Sequence, residues 1–184
     1  MTTLIPSDTE QGVPTLQGFD VLDVCHRHTL VALGRLAALT SALRRGEVDA
    51  DARALAREVH AHFEGNAHLH HEDEERHVFP ALLDRGDAST VQAVLRLRQD
   101  HRWLEQNWRE IGPQLDAIAS GQSWVDLDAL HEAVQVFTAL SHDHIALEEA
   151  FIYPQLRTRL PERAQRDMAR EMAQRRASPQ VEPL

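Results

Sequence analysis

The sequence has a single cysteine, Cys25, so it cannot form an internal disulfide bond. It has no apolar run near the roughly 18 residues that indicate a membrane-spanning helix. The N-terminal segment, 1–14, has neither the positive region nor the apolar region of a secretory signal. Together these absences predict a protein of the reducing cytoplasm that has no membrane partner.

Basic residues are in the minority. Nineteen Lys and Arg residues against 29 Asp and Glu residues give a formal net charge of -10. A charge of this sign repels phosphate backbones and anionic lipids, so we expect no nucleic-acid partner. At 184 residues the chain is long enough for one domain with a sizeable core.

Glycine and proline are also few, eight of each, and they fall mostly at segment ends and at the chain termini. No segment alternates apolar and polar residues over the length of a strand, which argues against a β fold. Helical periodicity instead predicts four long helices at about 15–45, 49–83, 89–120 and 125–160. Five residues are placed to stop or cap them: Gly46, Gly86 and Gly121 as stops, and Ser89 and Ser123 as N-terminal caps.

Connections of a few residues force neighbouring helices to run antiparallel. We therefore expect an all-α, up-down-up-down four-helix bundle over residues 15–160, followed by a short fifth helix over 161–176. Residues 1–14 and 177–184 are expected to be a disordered arm and tail. Pro80 and Pro154 each remove a backbone donor, so the second and fourth helices should kink or loosen there.

Histidine is the abundant residue, with 12 copies, and one histidine pattern occurs twice. His70 lies four residues before the pair that begins with Glu74, and His144 lies four residues before the pair that begins with Glu148. A proline follows each pair at the same distance, so the two copies have the same spacing throughout. Because residues four apart share a helix face, each copy can present an imidazole and a carboxylate to one metal centre.

Each predicted helix places one histidine within its apolar stripe: His26, His70, His101 and His144. His26 precedes the connection between the first two helices by almost the same distance as His70 follows it, and the other two histidines repeat this spacing. Each hairpin therefore brings its two histidines to the same height. Buried imidazoles and carboxylates need partners, and a metal centre supplies them.

Glu105, one helical turn after His101, is a third carboxylate candidate on the same face. Imidazole and carboxylate without thiolate suit iron, manganese or zinc, and seven candidate ligands fit two ions better than one. Some assignments remain open. His28 could replace His26, Glu149 could replace Glu148, and two further histidines could orient a ligand: His71 and His77.

With these residues in place, the chain resembles the hemerythrin-like family, also called the HHE cation-binding domain, from about residue 19 to 160. The resemblance implies a four-helix bundle that holds two non-haem iron ions, oxo- or hydroxo-bridged, and binds oxygen, handles nitric oxide or senses iron and oxygen. It implies six metal ligands: His26, His70, Glu74, His101, His144 and Glu148. Oxygen carriers of the family have a second histidine where this chain has Glu105, which disfavours simple oxygen carriage.

We therefore expect a cytoplasmic di-iron protein that binds or senses oxygen or nitric oxide, with zinc and manganese as alternative metals. The competing hypothesis is a ferritin-like oxidoreductase that acts on iron or peroxide. That class needs a Glu-x-x-His pair on each of two helices. Glu74 and His77 have this spacing, but the fourth helix has no counterpart, so a binding protein is favoured over an enzyme. The sequence does not identify an oligomeric state.

Overall fold

The computed structural model describes residues 18–46 and 48–177, and these residues contain helices and no strand. The elements in chain order are α1 (Gly18–Arg44), α2 (Ala50–Ala61), a first π-helical segment (His62–Ala67), α3 (His68–His77), α4 (Phe79–Arg85), α5 (Ala88–Ala119), α6 (Leu127–Leu147), a second π-helical segment (Glu148–Ile152), α7 (Tyr153–Arg157) and α8 (Glu162–Ala177). The all-α fold predicted from the sequence is confirmed.

The helices pack as a bundle. α1 packs against α2 and α6, and α5 packs against the same two helices. α8 lies outside this group and packs against α1 and α3. The helical bundle agrees with the prediction, while the alternating direction of its four helices stays a prediction based on short connections. No helix in the described part of the chain is both long and apolar enough to cross a membrane.

The predicted terminal segments fall mainly beyond the structure. The arm at 1–14 and residues 178–184 of the tail lie outside the described residues. Ala177 was assigned to the tail, but it is the last residue of α8. Pro161 precedes α8, and its carbonyl oxygen accepts the backbone N–H of Gln165 at 3.1 Å.

The second and fourth predicted helices are divided into shorter pieces. α3 ends at His77, and α4 begins at Phe79, directly before Pro80. Pro154 is likewise the second residue of α7. The predicted breaks at the two prolines are therefore confirmed, because proline is compatible with the first turn of a helix and not with its interior. The two π-helical segments were not predicted.

Aspartates begin the helices that follow the connections. The side chain of Asp49 accepts the backbone N–H of Ala52 at 2.8 Å, and Asp87 accepts that of Thr90 at 2.8 Å. Asp126 begins α6 in the same way. The predicted caps at Ser89 and Ser123 are therefore wrong, because the aspartate before or after each serine accepts these bonds. Two predicted glycine stops have positive φ, as C-terminal caps require: Gly46 at 87° and Gly121 at 76°.

Two apolar clusters fill the bundle, one on each side of a polar layer. Along α1, Leu22 belongs to one cluster and Leu33 to the other, and His26 lies between them. The other histidines of the layer are placed in the same way along the chain: His70 between Phe63 and Val78, His101 between Leu97 and Leu104, and His144 between Phe137 and Ile152. Apolar side chains therefore separate this layer from both ends of the bundle.

Candidate metal centre

Six of the seven predicted ligands come together in the polar layer. Each of the six is at most 4% exposed. They come from α1, α3, α5, α6 and the second π-helical segment: His26, His70, Glu74, His101, His144 and Glu148. The layer thus receives side chains from residues that lie far apart in the sequence.

Two groups within this cluster have ligand atoms within 4.8 Å of one another. The first group contains His26, His70, Glu74 and Glu148. The second group contains Glu74, His101, His144 and Glu148. Glu74 and Glu148 belong to both groups, so each carboxylate lies between two pairs of imidazoles. We call these six residues the His/Glu cluster.

Glu148 faces histidines from two helices. Its Oε2 lies 3.1 Å from Nε2 of His26, and its Oε1 lies 3.1 Å from Nε2 of His144. Glu148 is the first residue of the second π-helical segment and is fully buried, whereas Glu149 is 49% exposed. The structure therefore places Glu148, and not Glu149, inside the cluster.

Glu74 occupies the equivalent position on the opposite side. Its Oε2 lies 3.4 Å from Nε2 of His101, and its Oε1 lies 3.6 Å from Nε2 of His70. The hydroxyl of Tyr153 donates a hydrogen bond to Oε1 of the same carboxylate. Glu74 and Glu148 are thus related as the sequence repeat predicts, one from each copy of the pattern.

Carboxylates also lie beside the outer ring nitrogens of three histidines. Nδ1 of His26 pairs with Glu149 at 3.0 Å, and Nδ1 of His101 pairs with Glu75 at 3.1 Å. Asp100 lies 4.0 Å from Nδ1 of His144, which is beyond hydrogen-bond distance. A carboxylate that accepts Nδ1–H fixes the tautomer in which Nε2 is free to bind a metal. The second glutamate of each Glu-Glu pair therefore orients a ligand, and the first one enters the cluster.

The cluster has more polar atoms than hydrogen-bond partners. Buried atoms without a partner include both ring nitrogens of His70 and His144, Nε2 of His101, one oxygen of Glu74 and both oxygens of Glu148. Buried polar groups are normally paired, and unpaired ones are costly. Cations at this position would engage the Nε2 atoms and the carboxylate oxygens among them, so the donor set fits a metal centre.

Burial and mutual charge shift the pKa values of the metal-free cluster. Burial lowers the pKa of His70 to about 3, and the charge of Glu74 opposes this only in part. Burial also acts to lower the pKa of His26, but the adjacent carboxylate of Glu148, 3.1 Å away, and the nearby Glu74 and Glu149 outweigh burial and raise it to about 9. Burial acts to raise the pKa of Glu148, and the neighbouring His144 and His26 lower it by more. In the metal-free protein, the positive charge of protonated His26 therefore balances negative charge on Glu148, a role that a bound metal ion would otherwise have.

Tyr153 lies at the cluster, although it is not among the site residues predicted from the sequence. Its ring stacks on His26 with centroids 5.3 Å apart, and its hydroxyl lies 3.2 Å from Nε2 of that residue. Burial raises the pKa of Tyr153 well above its ordinary value, so the hydroxyl remains a donor. Phe79, the equivalent residue of the first copy, stacks on His101 at 5.4 Å in the same way. The sequence feature that could have identified these two stacking residues is the aromatic residue directly before each proline.

Glu105 is the predicted ligand that the structure does not bring to the cluster. It is 40% exposed, and its Oε1 lies 3.6 Å from Nδ1 of His68. Glu105 lines the groove beside the cluster, together with His68 and Trp108. His71 lies closer, because its ring stacks on His101 with centroids 4.1 Å apart.

The remaining histidines lie outside the cluster. His28 is exposed, so the structure places His26 there instead. Nε2 of His77 lies 3.6 Å from Glu171 of α8 and does not reach the cluster. His62 makes a hydrogen bond with Thr29 at 3.2 Å. Of the two alternatives that the sequence left open, the geometry therefore favours His26 over His28.

Comparison with known proteins agrees with this geometry. The family model of the hemerythrin HHE cation binding domain matches residues 17–156. The chain is also similar to an uncharacterized protein of Haemophilus influenzae, with 31% identity over 93 residues. This match covers 50% of the chain and 51% of the relative, so the chain spans about half the length of the curated relative it matches. With a buried His/Glu cluster able to hold metal, the chain belongs to the hemerythrin HHE cation-binding domain family.

Proposed function

We propose that this protein holds two iron ions without haem and binds or senses oxygen or nitric oxide in the cytoplasm. The observation that carries the proposal is the sharing of Glu74 and Glu148 between two groups of histidines. One group would hold one ion through His26 and His70, and the other would hold the second ion through its own two histidines. Imidazole and carboxylate ligands without thiolate suit iron.

The space next to the cluster supports a small ligand. A small cavity of about 30 Å³ lies against His26, His70 and His144. A single water needs roughly 10–15 Å³ of such volume, so the cavity has room for about two heavy atoms. Its other walls include the apolar side chains of Phe63 and Phe137. These dimensions favour a diatomic molecule over an organic substrate.

Iron bound here would supply a reversible change of oxidation state and a position for a small ligand. The protein's own residues prepare that position. Glu149 and Glu75 orient the rings of His26 and His101, and the two apolar clusters keep bulk water away. A single cysteine that forms no disulfide supports a reducing cytoplasm.

A ferritin-like oxidoreductase has less support. His77, the residue that would complete its Glu-x-x-His pair, points toward Glu171 of α8. The cluster therefore lacks the carboxylate-rich arrangement of that class. Binding or sensing is the function that this donor set favours.

Metal analysis and an optical spectrum of protein purified without added metal test the proposal. Two irons per chain, with a visible band that changes reversibly on exposure to oxygen or nitric oxide, would support it. Irreversible oxidation with turnover of peroxide would favour the oxidoreductase. Bound zinc without a visible band would contradict both iron functions.

Three alanine variants test the residues. We expect His70→Ala and His144→Ala each to lower metal occupancy, because both side chains belong to the buried cluster. His62→Ala is the matched control, since His62 is also partly buried but bonds to Thr29 away from the cluster. Equal occupancy in all three variants would remove the assigned site.

A further inference from the structure

His71 lies against the His/Glu cluster without belonging to either group that shares the carboxylates. Its ring stacks on His101 with centroids 4.1 Å apart and planes at 13°, and it meets His144 edge-on at 5.5 Å. One ligand nitrogen from each of these three histidines lies within 4.8 Å of the other two. Three imidazole nitrogens this close together can bind one ion, since neutral imidazole is the commonest protein ligand of transition metals.

The ring of His71 also has a nitrogen atom that is available to bind a metal. Its Nδ1 is buried and has no hydrogen-bond partner. The side chain lines the small cavity beside the cluster, together with His70 and His144. An unpaired nitrogen at this position is costly in the metal-free protein, and binding to a cation would relieve that cost.

Glu105 is the other candidate for this place, and its contacts point elsewhere. Its carboxylate is 40% exposed and pairs with His68 at 3.6 Å. We propose that His71, and not Glu105, is the additional ligand of the ion held by His101 and His144. This inference rests on the proposed function, because it adds a ligand to one of the two ions described there.

The assignment makes the two halves of the centre unequal. The ion at His101 and His144 would have three imidazoles, and the ion at His26 and His70 would have two. A metal site with fewer protein ligands keeps a position for an outside molecule. That position would belong to the ion at His26 and His70, and these two histidines line the cavity together with His71 and His144.

The test uses the full chain loaded with the NMR-active isotope of cadmium. Its histidines are labelled with the heavy, NMR-active isotope of nitrogen. A scalar coupling between cadmium and a ring nitrogen passes only through a bond, so it separates a ligand from a stacked neighbour. We expect couplings on five histidines: His26, His70, His71, His101 and His144. Couplings on the other four histidines and none on His71 in the wild-type chain would overturn the inference.

Two variants add a second measurement. His71→Gln should weaken the binding of one of two ions by about 10- to 100-fold in a chelator competition, while Glu105→Gln should leave both affinities unchanged. A loss caused by Glu105→Gln and not by His71→Gln would reverse the assignment. If the wild-type chain takes up neither iron nor cadmium, the proposed function itself fails. If it takes up two ions and His71 shows no coupling, only this inference fails.

Discussion

Oε1 of Glu149 lies 3.0 Å from Nδ1 of His26, on the side of the ring that faces away from the cluster. The residue directly before it, Glu148, reaches the Nε2 side of the same ring at 3.1 Å. Two adjacent glutamates thus hold one imidazole from both sides. Glu75 and His101 repeat the outer contact at 3.1 Å in the other half of the bundle.

This arrangement predicts different effects for two adjacent substitutions. Glu149→Gln should lower metal affinity by about 10- to 100-fold and leave the number of bound ions unchanged, because it removes only the group that orients His26. Glu148→Gln should reduce the number of bound ions, because Glu148 belongs to both ligand groups. Elemental analysis and chelator competition measure the two effects.

Glu132→Gln is the control for these variants, since Glu132 lies on the exposed part of α6 and away from the cluster. It should change neither the affinity nor the number of ions. Loss of an ion in Glu149→Gln with full occupancy in Glu148→Gln would show that the roles of the two glutamates are the reverse of those described.

Tyr153→Phe removes a hydroxyl and preserves the ring that stacks on His26. In the metal-free protein the hydroxyl donates to the fully buried Glu74, so its loss leaves a carboxylate oxygen without that partner. We expect the free energy of unfolding to fall by about 1–3 kcal/mol, measured by urea denaturation in the presence of a chelator.

Phe151→Leu is a control for a change in aromatic packing nearby, because Phe151 is only partly buried and has no polar group. In Tyr153→Phe the number of bound ions should remain that of the wild type. An unchanged free energy of unfolding would indicate that Glu74 finds another donor once the hydroxyl is gone.

Much of the site could be predicted from the sequence, because its geometry follows helix periodicity. A histidine and a glutamate four residues apart share one face wherever the helix is regular, as for His70 and Glu74. The identical spacing of the two copies then identified both carboxylates that the two groups share. The second glutamates have no such signal, because their partners lie on other helices.

Prediction from helix periodicity fails where the helix is not a regular α-helix, and where contacts between helices decide the position of a side chain. The first π-helical segment, His62–Ala67, lies directly before the histidines of α3 and changes the phase of the helix there. Side-chain directions counted across this segment are therefore shifted relative to a regular α-helix. Glu105 follows His101 on a regular helix, but its contact with His68 depends on packing between two helices. Such a contact cannot be read from one helix alone.

Metal should stabilise the fold, because the cluster leaves buried polar atoms without partners. A ligand that binds only the folded state at 100 times its Kd adds about 2.7 kcal/mol per site. For a chain of this size, each kcal/mol raises Tm by roughly 2–4 °C. We expect thermal unfolding followed by circular dichroism to show this increase when iron is added under nitrogen gas to chelator-treated protein.

The double variant His70→Ala and His144→Ala is the control for the metal effect. Each substitution removes one histidine from a different ligand group, so added iron should raise Tm much less. An equal rise in Tm in the wild type and the double variant would place the stabilising ion somewhere other than the cluster.

The hydrogen bonds of Asp87 predict that the free energy of unfolding falls in acid. Hydrogen bonds from the backbone and side chain of Thr90, and from Ser89, lower the pKa of Asp87 from 3.8 to about 2. Its contribution to stability is therefore complete above about pH 4 and is lost as the pH falls toward 2. Asp87→Asn keeps a capping side chain that does not titrate, so its loss of stability over this range should be smaller than that of the wild type. Equal losses in urea denaturation would contradict the assignment.

Asp73 should anchor α8 to the helix that carries the cluster. It is fully buried and forms ion pairs with Arg175 and, at 2.7 Å, with Arg176. Replacing both arginines by alanine leaves a buried carboxylate without cations, which costs about 3–5 kcal/mol. Asp73→Asn should cost less, because the arginines are 17% and 24% exposed and can reach water.

The unequal cost of the two changes is what separates a buried ion pair from ordinary surface attraction. Arg76→Ala is the control, since Arg76 of α3 pairs with Glu171 of α8 at 3.7 Å and both side chains are about half exposed. Such a pair contributes at most about 1 kcal/mol. Urea denaturation of metal-free protein measures all three variants. If the double arginine variant loses no more stability than Arg76→Ala, then Asp73 does not depend on α8, and the C-terminal helix can leave the bundle without disturbing Glu74 beside it.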